Sequence, residues 1–151
     1  MKIVMTSAAS GGALVDDSGA RVTDAGYADR RWVQGWVTSA RKLARSGAQL
    51  YLIEDSPYQP GNVPECLSAH PDDPRACVVT AGRALPARDR RRAISAALKE
   101  QGVTPIDPLP WFCTVQACPV IVGNVLVYRD TSHLTATYSR MLGPLLEPYL
   151  R

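Results

Sequence analysis

Alternating apolar strands and amphipathic helices predict an α/β protein with a parallel sheet and an antiparallel hairpin near the C-terminus. The length of 151 residues suits one domain that buries roughly two-thirds of its unfolded surface. Hydrophobic residues make up 46% of the chain and charged residues 21%, which is ordinary for a soluble globular domain. This composition excludes the collagen-like, coiled-coil and wholly disordered classes.

The first half of the chain reads as strand, loop, helix and strand. Lys2–Thr6 is a short apolar strand, and Ser7–Ala25 is rich in Ser, Gly and Asp and predicts a loop. From about Asp24 to Ser46, apolar residues recur at spacings of three and four, which predicts a helix that Gly47 ends. Gln49–Glu54 follows as a second apolar strand.

The second half begins with an irregular stretch and then returns to regular elements. Pro57–Ala84 contains five prolines and predicts a long loop, a length that usually carries a function or a covalent staple. Pro86–Gln101 predicts a second helix and Val103–Ile106 a third strand. Val120–Tyr128 predicts a hairpin that turns at a Gly-Asn pair, and Leu134–Leu150 predicts a final amphipathic helix.

Four cysteines form two local pairs, Cys66 with Cys77 and Cys113 with Cys118. Of the three possible connectivities, we favour these two disulfides because each closes a short loop in a Pro-rich segment. Each would stabilise the fold by roughly 2–3 kcal/mol. A zinc site is an alternative, although the spacings do not match Cys-x2-Cys and the two histidines do not complete a ligand set. Free buried thiols are a third interpretation.

The first residues do not predict a secretory signal, because the apolar run after Lys2 is too short and too polar. No run of 18 apolar residues predicts a membrane span either. Disulfides form in oxidising compartments, so an extracytoplasmic protein with this sequence would need an upstream segment to carry it there. The formal net charge of +3 is too small to indicate a nucleic-acid partner.

The sharpest chemical feature is an acid and an imidazole three residues apart, Asp130 and His133, between the hairpin and the last helix. A carboxylate there can orient the imidazole and stabilise its protonated form, while the imidazole acts as general base toward a hydroxyl nucleophile. The structural alternative is that Asp130 or Thr131 caps the last helix and His133 is a partly exposed residue of its first turn.

The surrounding sequence resembles a known family. The segments Asp107–Cys113, Cys118–Pro119 and Gly123–Thr135 are similar to the C-terminal part of SGNH-type domains fused behind membrane acyltransferases of acyltransferase family three. In that family a Cys pair, a hairpin ending in Tyr-Arg-Asp and an Asp-x-x-His-Leu step precede the last helix. The resemblance covers Asp107–Leu142, about a quarter of the chain, and is looser over Gln49–Cys77.

The resemblance implies a three-layer, flavodoxin-like α/β/α fold in which Asp130 orients His133 as catalytic base. It implies acyl transfer through a serine ester to a hydroxyl of an extracytoplasmic glycan or lipid-linked sugar. The acyl donor would be delivered by a membrane acyltransferase domain, with no cofactor, metal or nucleic acid. Trp111, in the loop before the pair, is the candidate to line a substrate cleft.

One part of the family pattern is missing, because the sequence contains no Gly-Asp-Ser block. The nearest string holds Ser18, but no apolar strand runs into it, so a nucleophile elbow is not predicted. Ser7 and Ser10 follow the first strand, which corresponds in the family to a later one. The sequence therefore predicts that residues 1–151 form a single partial domain, the C-terminal two-thirds of a domain in a larger membrane protein.

Three functional hypotheses follow. The first is the C-terminal portion of an O-acyltransferase domain whose serine lies upstream. The second is a catalytically silent remnant or binding module that keeps the scaffold without a nucleophile. The third is a stand-alone secreted esterase that uses an unrecognised serine.

Overall fold

A computed structural model describes residues 1–6 and 13–151. The strands in that part of the chain are β1 (Lys2–Thr6), β2 (Gln49–Ile53), β3 (Val79–Thr80), β4 (Thr104–Ile106), β5 (Ala117–Cys118), β6 (Ile121–Val122) and β7 (Val125–Leu126). The helices are α1 (Ala25–Ala44), α2 (Val63–Ala69), α3 (Ala81–Ala84), α4 (Arg88–Glu100), α5 (Leu109–Phe112) and α6 (Ala136–Leu150), with a 3-10 helix at Pro74–Cys77. These elements form two compact units, residues 1–55 with 87–107 and residues 56–86 with 108–151.

The first unit is built on a parallel sheet in the order β1-β2-β4. The register pairs Ile3 with Leu50 and Met5 with Leu52, so these four apolar side chains share one face. In β4, Pro105 lies opposite Leu52. A proline fits this edge strand because it has only one neighbour in the sheet.

Helices α1 and α4 cover the apolar face of this sheet. The residues buried together there come from both helices, from β1 and β2, and from the turn before β4: Met5, Ala40, Leu50, Leu52, Ile94, Leu98 and Val103. Asp24 caps α1 by accepting a hydrogen bond from the Tyr27 N–H. The chain leaves α1 through Gly47, whose φ of 72° is left-handed and suits glycine.

The second unit has its own core under the last helix. The residues buried there come from α2, the 3-10 helix, α5, the hairpin and α6: Val63, Cys77, Phe112, Val120, Val127, Tyr128 and Tyr138. The predicted hairpin is present as β6 and β7, with Ile121 opposite Leu126. Its turn contains Gly123 with φ of 61°, a conformation that glycine adopts without steric cost.

The stretch predicted as a long loop differs from expectation, since it holds α2, the 3-10 helix, β3 and α3. Prolines are typical of loops, but Pro64 and Pro74 occupy first-turn positions of helices. Proline is tolerated there because the first N–H groups of a helix have no internal partner. Asn62 and Asp73 cap the two helices by accepting from backbone N–H groups.

The predicted fold class is confirmed. The molecule is an α/β protein with a mostly parallel main sheet and a C-terminal hairpin followed by a helix. Strand β1 has the predicted bounds, and α1, α4 and α6 each begin or end within two residues of prediction.

Removing the cap of α6 is expected to destabilise the second unit by about 1–2 kcal/mol. The Thr135 hydroxyl accepts from the Tyr138 N–H at 3.2 Å and donates to the Leu126 carbonyl at 2.6 Å. Thr135→Ala deletes both contacts, and chemical denaturation measures the loss. Thr137→Ala, at an exposed position of the same helix, serves as control and should change stability by less than about 0.5 kcal/mol. Equal effects would contradict this assignment of the cap.

Candidate acid–imidazole site

A short turn between β7 and α6 holds the candidate pair. The Arg129 N–H donates to the His133 carbonyl at 2.9 Å, and Tyr128 forms an antiparallel bridge with Leu134. The Thr135 N–H donates to the Val127 carbonyl at 2.9 Å. Because both ends of the turn are tied to each other and to the hairpin, the side chains of Asp130 and His133 start from a fixed backbone.

The Asp130 carboxylate makes three contacts within this turn. Its Oδ1 accepts from the backbone N–H groups of Ser132 and His133, each at 2.8 Å. Its Oδ2 lies 2.8 Å from Nδ1 of the His133 ring. The two backbone hydrogen bonds, Ser132 first, are the main reason why the pKa of Asp130 is lowered to about 2. Asp130 is therefore ionised at neutral pH and faces the imidazole.

The interpretation of this segment as a helix cap is wrong. Thr135 caps α6, whereas Asp130 binds the amides of its own turn and Thr131 lies outside the helix. The side chain of His133 is 65% exposed and that of Asp130 35% exposed. The ring is thus paired with Asp130 through Nδ1 and largely exposed to solvent.

Gln59 supports the turn from the loop after β2, and no sequence motif singles it out. Its N–H donates to the Thr131 carbonyl at 2.7 Å. Its side chain is buried beside the hydroxyl of Tyr128 and interacts with it, although the contact lacks the geometry of a good hydrogen bond. Burial raises the pKa of Tyr128 well above its usual range. Gln59 stands in the stretch Pro-Tyr-Gln-Pro at residues 57–60, which matches no motif of a functional site.

Trp111 lies in α5, half-buried against the core of the second unit. Its carbonyl accepts a hydrogen bond from the Tyr138 hydroxyl, which links α5 to α6. The backbone of Trp111 therefore has a structural role. Its predicted role in lining a substrate cleft stays a prediction.

The four cysteines form the disulfides Cys66–Cys77 and Cys113–Cys118, with S–S distances of 2.05 and 2.00 Å. His70 lies close to the first bridge, and its Nδ1 is 3.0 Å from the Cys66 carbonyl. The two sulfurs are bonded to each other, so this group offers no thiolate to a metal. Two disulfides fit an oxidising, extracytoplasmic compartment.

The serines considered as nucleophiles differ in what can be said of them. The Ser18 hydroxyl donates to Asp16 at 2.6 Å, in a turn that also binds the Ser18 and Ala20 amides to the same carboxylate oxygen. Its partner is thus an acid of a local turn and not an imidazole. Ser7 and Ser10 lie outside the described residues.

The low pKa of Asp130 gives a pH prediction. A carboxyl group whose pKa is lower in the folded state stabilises that state above its ordinary pKa, here 3.8, and loses this contribution as pH falls toward about 2. Carbon-13 NMR of the Asp130 carboxyl should therefore show a midpoint near pH 2. The midpoint should stay low in His133→Ala, because the backbone amides are the larger cause. A return to the ordinary value in that variant would contradict this explanation.

The pair lies between a hairpin and the last helix of an α/β protein. Its geometry, an ionised carboxylate in hydrogen-bond contact with one nitrogen of an exposed imidazole, is the one that the acid–base part of a hydrolase-type triad requires. Within residues 1–6 and 13–151, no helix is long and apolar enough to cross a membrane.

Comparison with known proteins names the family. The model of the SGNH domain fused to AT3 domains matches residues 3–148, and the chain belongs to that family. The periplasmic domain of the lipopolysaccharide acetyltransferase of Salmonella ser. Paratyphi A has a similar fold, with a TM-score of 0.69 and 16% sequence identity. That match covers 97% of this chain and 55% of the Salmonella chain. A search of curated protein sequences found no significant match.

Proposed function

We propose that this chain is the C-terminal portion of an O-acyltransferase domain in which Asp130 and His133 are the acid and base of acyl transfer. The observation that carries the proposal is the 2.8 Å contact between Asp130 Oδ2 and His133 Nδ1, with Oδ1 held by two backbone amides. This arrangement fixes the proton on Nδ1 and leaves Nε2 free to accept another.

The reaction proceeds in two acyl transfers. Nε2 of His133 takes the proton of a serine hydroxyl while the serine oxygen attacks the acyl carbonyl, and the protonated ring then gives its proton to the leaving group. A sugar hydroxyl next attacks the carbonyl of the serine ester while Nε2 takes the proton of this hydroxyl. The protonated ring then gives its proton to the serine oxygen as the ester bond to serine breaks. Asp130 stays ionised throughout and stabilises the imidazolium, a role that its low pKa supports.

The serine is proposed to lie upstream of residue 1, in the Gly-Asp-Ser block of the family. The Salmonella domain of similar fold supports a longer domain, because the match covers 97% of this chain but only 55% of that one. Membership in a family fused to AT3 domains supports a membrane acyltransferase domain as the source of the acyl group. The disulfides and the periplasmic lipopolysaccharide acetyltransferase domain of similar fold support an extracytoplasmic site and a glycan acceptor.

A catalytically silent domain is the second candidate, because the same missing block would leave His133 without a nucleophile. The two candidates differ in the gene. The first requires an in-frame upstream sequence that encodes Gly-Asp-Ser and membrane helices. The second requires a stop codon or unrelated sequence there.

A fluorophosphonate probe tests the proposal on the protein itself. The 151-residue chain should not be labelled, whereas the longer gene product should be labelled at one serine of the upstream block, and His133→Ala should abolish this labelling. Stoichiometric labelling of the 151-residue chain would instead favour a stand-alone esterase. A longer product that stays unlabelled would favour the silent domain.

A further inference from the structure

The second unit contains a cavity of about 440 Å³, and neither Asp130 nor His133 lines it. Its volume is within the range of small-molecule sites, about 300–1,000 Å³. The apolar part of its wall includes Val63, Val78, Val79 and the Cys66–Cys77 disulfide. The polar part is formed by Gln59, Thr80 and Arg83.

Gln59 brings an unsatisfied amide to this wall. The residue is only 6% exposed, its amide lies beside the Tyr128 hydroxyl, and neither Nε2 nor Oε1 makes a hydrogen bond of good geometry with a described residue. A buried amide whose hydrogen bonding is incomplete destabilises a fold, so such a group favours a ligand that can donate and accept. Hydroxyl groups have this property.

Arg83 brings a positive charge to the same wall. Its side chain is exposed and forms no ion pair within residues 1–6 and 13–151. An arginine fork favours a planar carboxylate, which it can bind through two parallel hydrogen bonds. The cavity therefore combines an apolar surface, an amide that fits hydroxyls and a cation that fits a carboxylate.

We propose that this cavity binds a hexuronic-acid unit of a glycan. Arg83 pairs with the sugar carboxylate, the Gln59 amide and the Thr80 hydroxyl bind ring hydroxyls, and the valines contact the C–H face of the ring. The choice of a sugar rests on the proposed acyl transfer to a glycan. Gln59 also connects the cavity to the pair, because its backbone N–H holds the Thr131 carbonyl of the Asp130–His133 turn.

Galacturonate and galactose form a matched pair of probes, since they differ only in the carboxylate at C6. In nitrogen-15 NMR titrations of the chain, sodium galacturonate should cause saturable shifts at the Gln59 side-chain amide and at the Val79 and Thr80 amides. Galactose should bind about tenfold more weakly, in line with one partly exposed charge-assisted contact. Equal affinities for the two sugars, or shifts that do not saturate, would overturn the proposal.

Variants separate the two polar contacts. Arg83→Met should remove the preference for galacturonate, whereas Arg75→Met should keep it, because Arg75 is an exposed arginine of the same unit outside the cavity wall. Gln59→Met should weaken both sugars about tenfold. Unchanged galacturonate binding in Arg83→Met, with a spectrum that shows the intact fold, would overturn the assignment.

This proposal can fail separately from the proposed function. His133→Ala should bind galacturonate as well as the unsubstituted chain does, because His133 does not line the cavity. Binding without acyl transfer by the longer gene product would support the cavity assignment and contradict the acyltransferase function. Acyl transfer without galacturonate binding would contradict the cavity assignment alone.

Discussion

Replacing His133 with alanine in the longer gene product is expected to lower its acyl-transfer rate by about 10³-fold or more, because the serine then has no base. The rate is measured by the transfer of a labelled acyl group to a glycan acceptor. The chain offers a matched control in its other histidine, His70, which is also exposed and lies in the second unit. His70→Ala should change the rate by less than about twofold.

Asp130→Asn tests the acid separately. An amide can still accept hydrogen bonds from the turn, but it can also donate to Nδ1 and so favours the wrong tautomer of His133. We expect a loss of about 10²–10⁴-fold in rate with little change in stability. A rate that survives either His133→Ala or Asp130→Asn would contradict the assignment of this pair.

Removing the Cys66–Cys77 disulfide is expected to destabilise the second unit by about 3 kcal/mol. The bridge closes a loop with a sequence separation of 11 residues, joins α2 to the 3-10 helix and lies beside the core through buried Cys77. In the double variant Cys66→Ala, Cys77→Ala, hydrogen exchange at core amides such as Val127 should become about 100-fold faster.

The second disulfide is the control for loop length. Cys113–Cys118 has a sequence separation of only 5 residues, so its removal should cost about 2 kcal/mol on the same chain-entropy argument. A larger effect for this pair than for Cys66–Cys77 would show that packing and not loop closure determines the contribution.

The predictable parts of the fold share a strong local pattern. Helix α1 follows its apolar spacing, and β1 and β2 are apolar runs whose observed bounds lie within one residue of the predicted ones, because one face of each must be buried against helices. The hairpin was predictable from its Gly-Asn turn. The helices of residues 63–84 were missed, since their prolines occupy first-turn positions that a loop interpretation does not distinguish.

The site was predictable in part because its two central residues also form a local sequence pattern. Asp130 and His133 are three residues apart, so a single turn brings them together, and spacing is enough to suggest it. Gln59 is brought to this turn from about 70 residues away in the sequence by a backbone hydrogen bond. Such a contact depends on tertiary packing and leaves no pattern in the chain.

The tautomer of His133 is the most direct test of the central claim, that Asp130 sets this imidazole as a base. Long-range proton–nitrogen NMR of the 151-residue chain distinguishes the two neutral forms of the ring. We expect the proton on Nδ1 in the unsubstituted chain and a shift toward Nε2 in Asp130→Asn. A ring that carries its proton on Nε2 in both proteins would contradict the account.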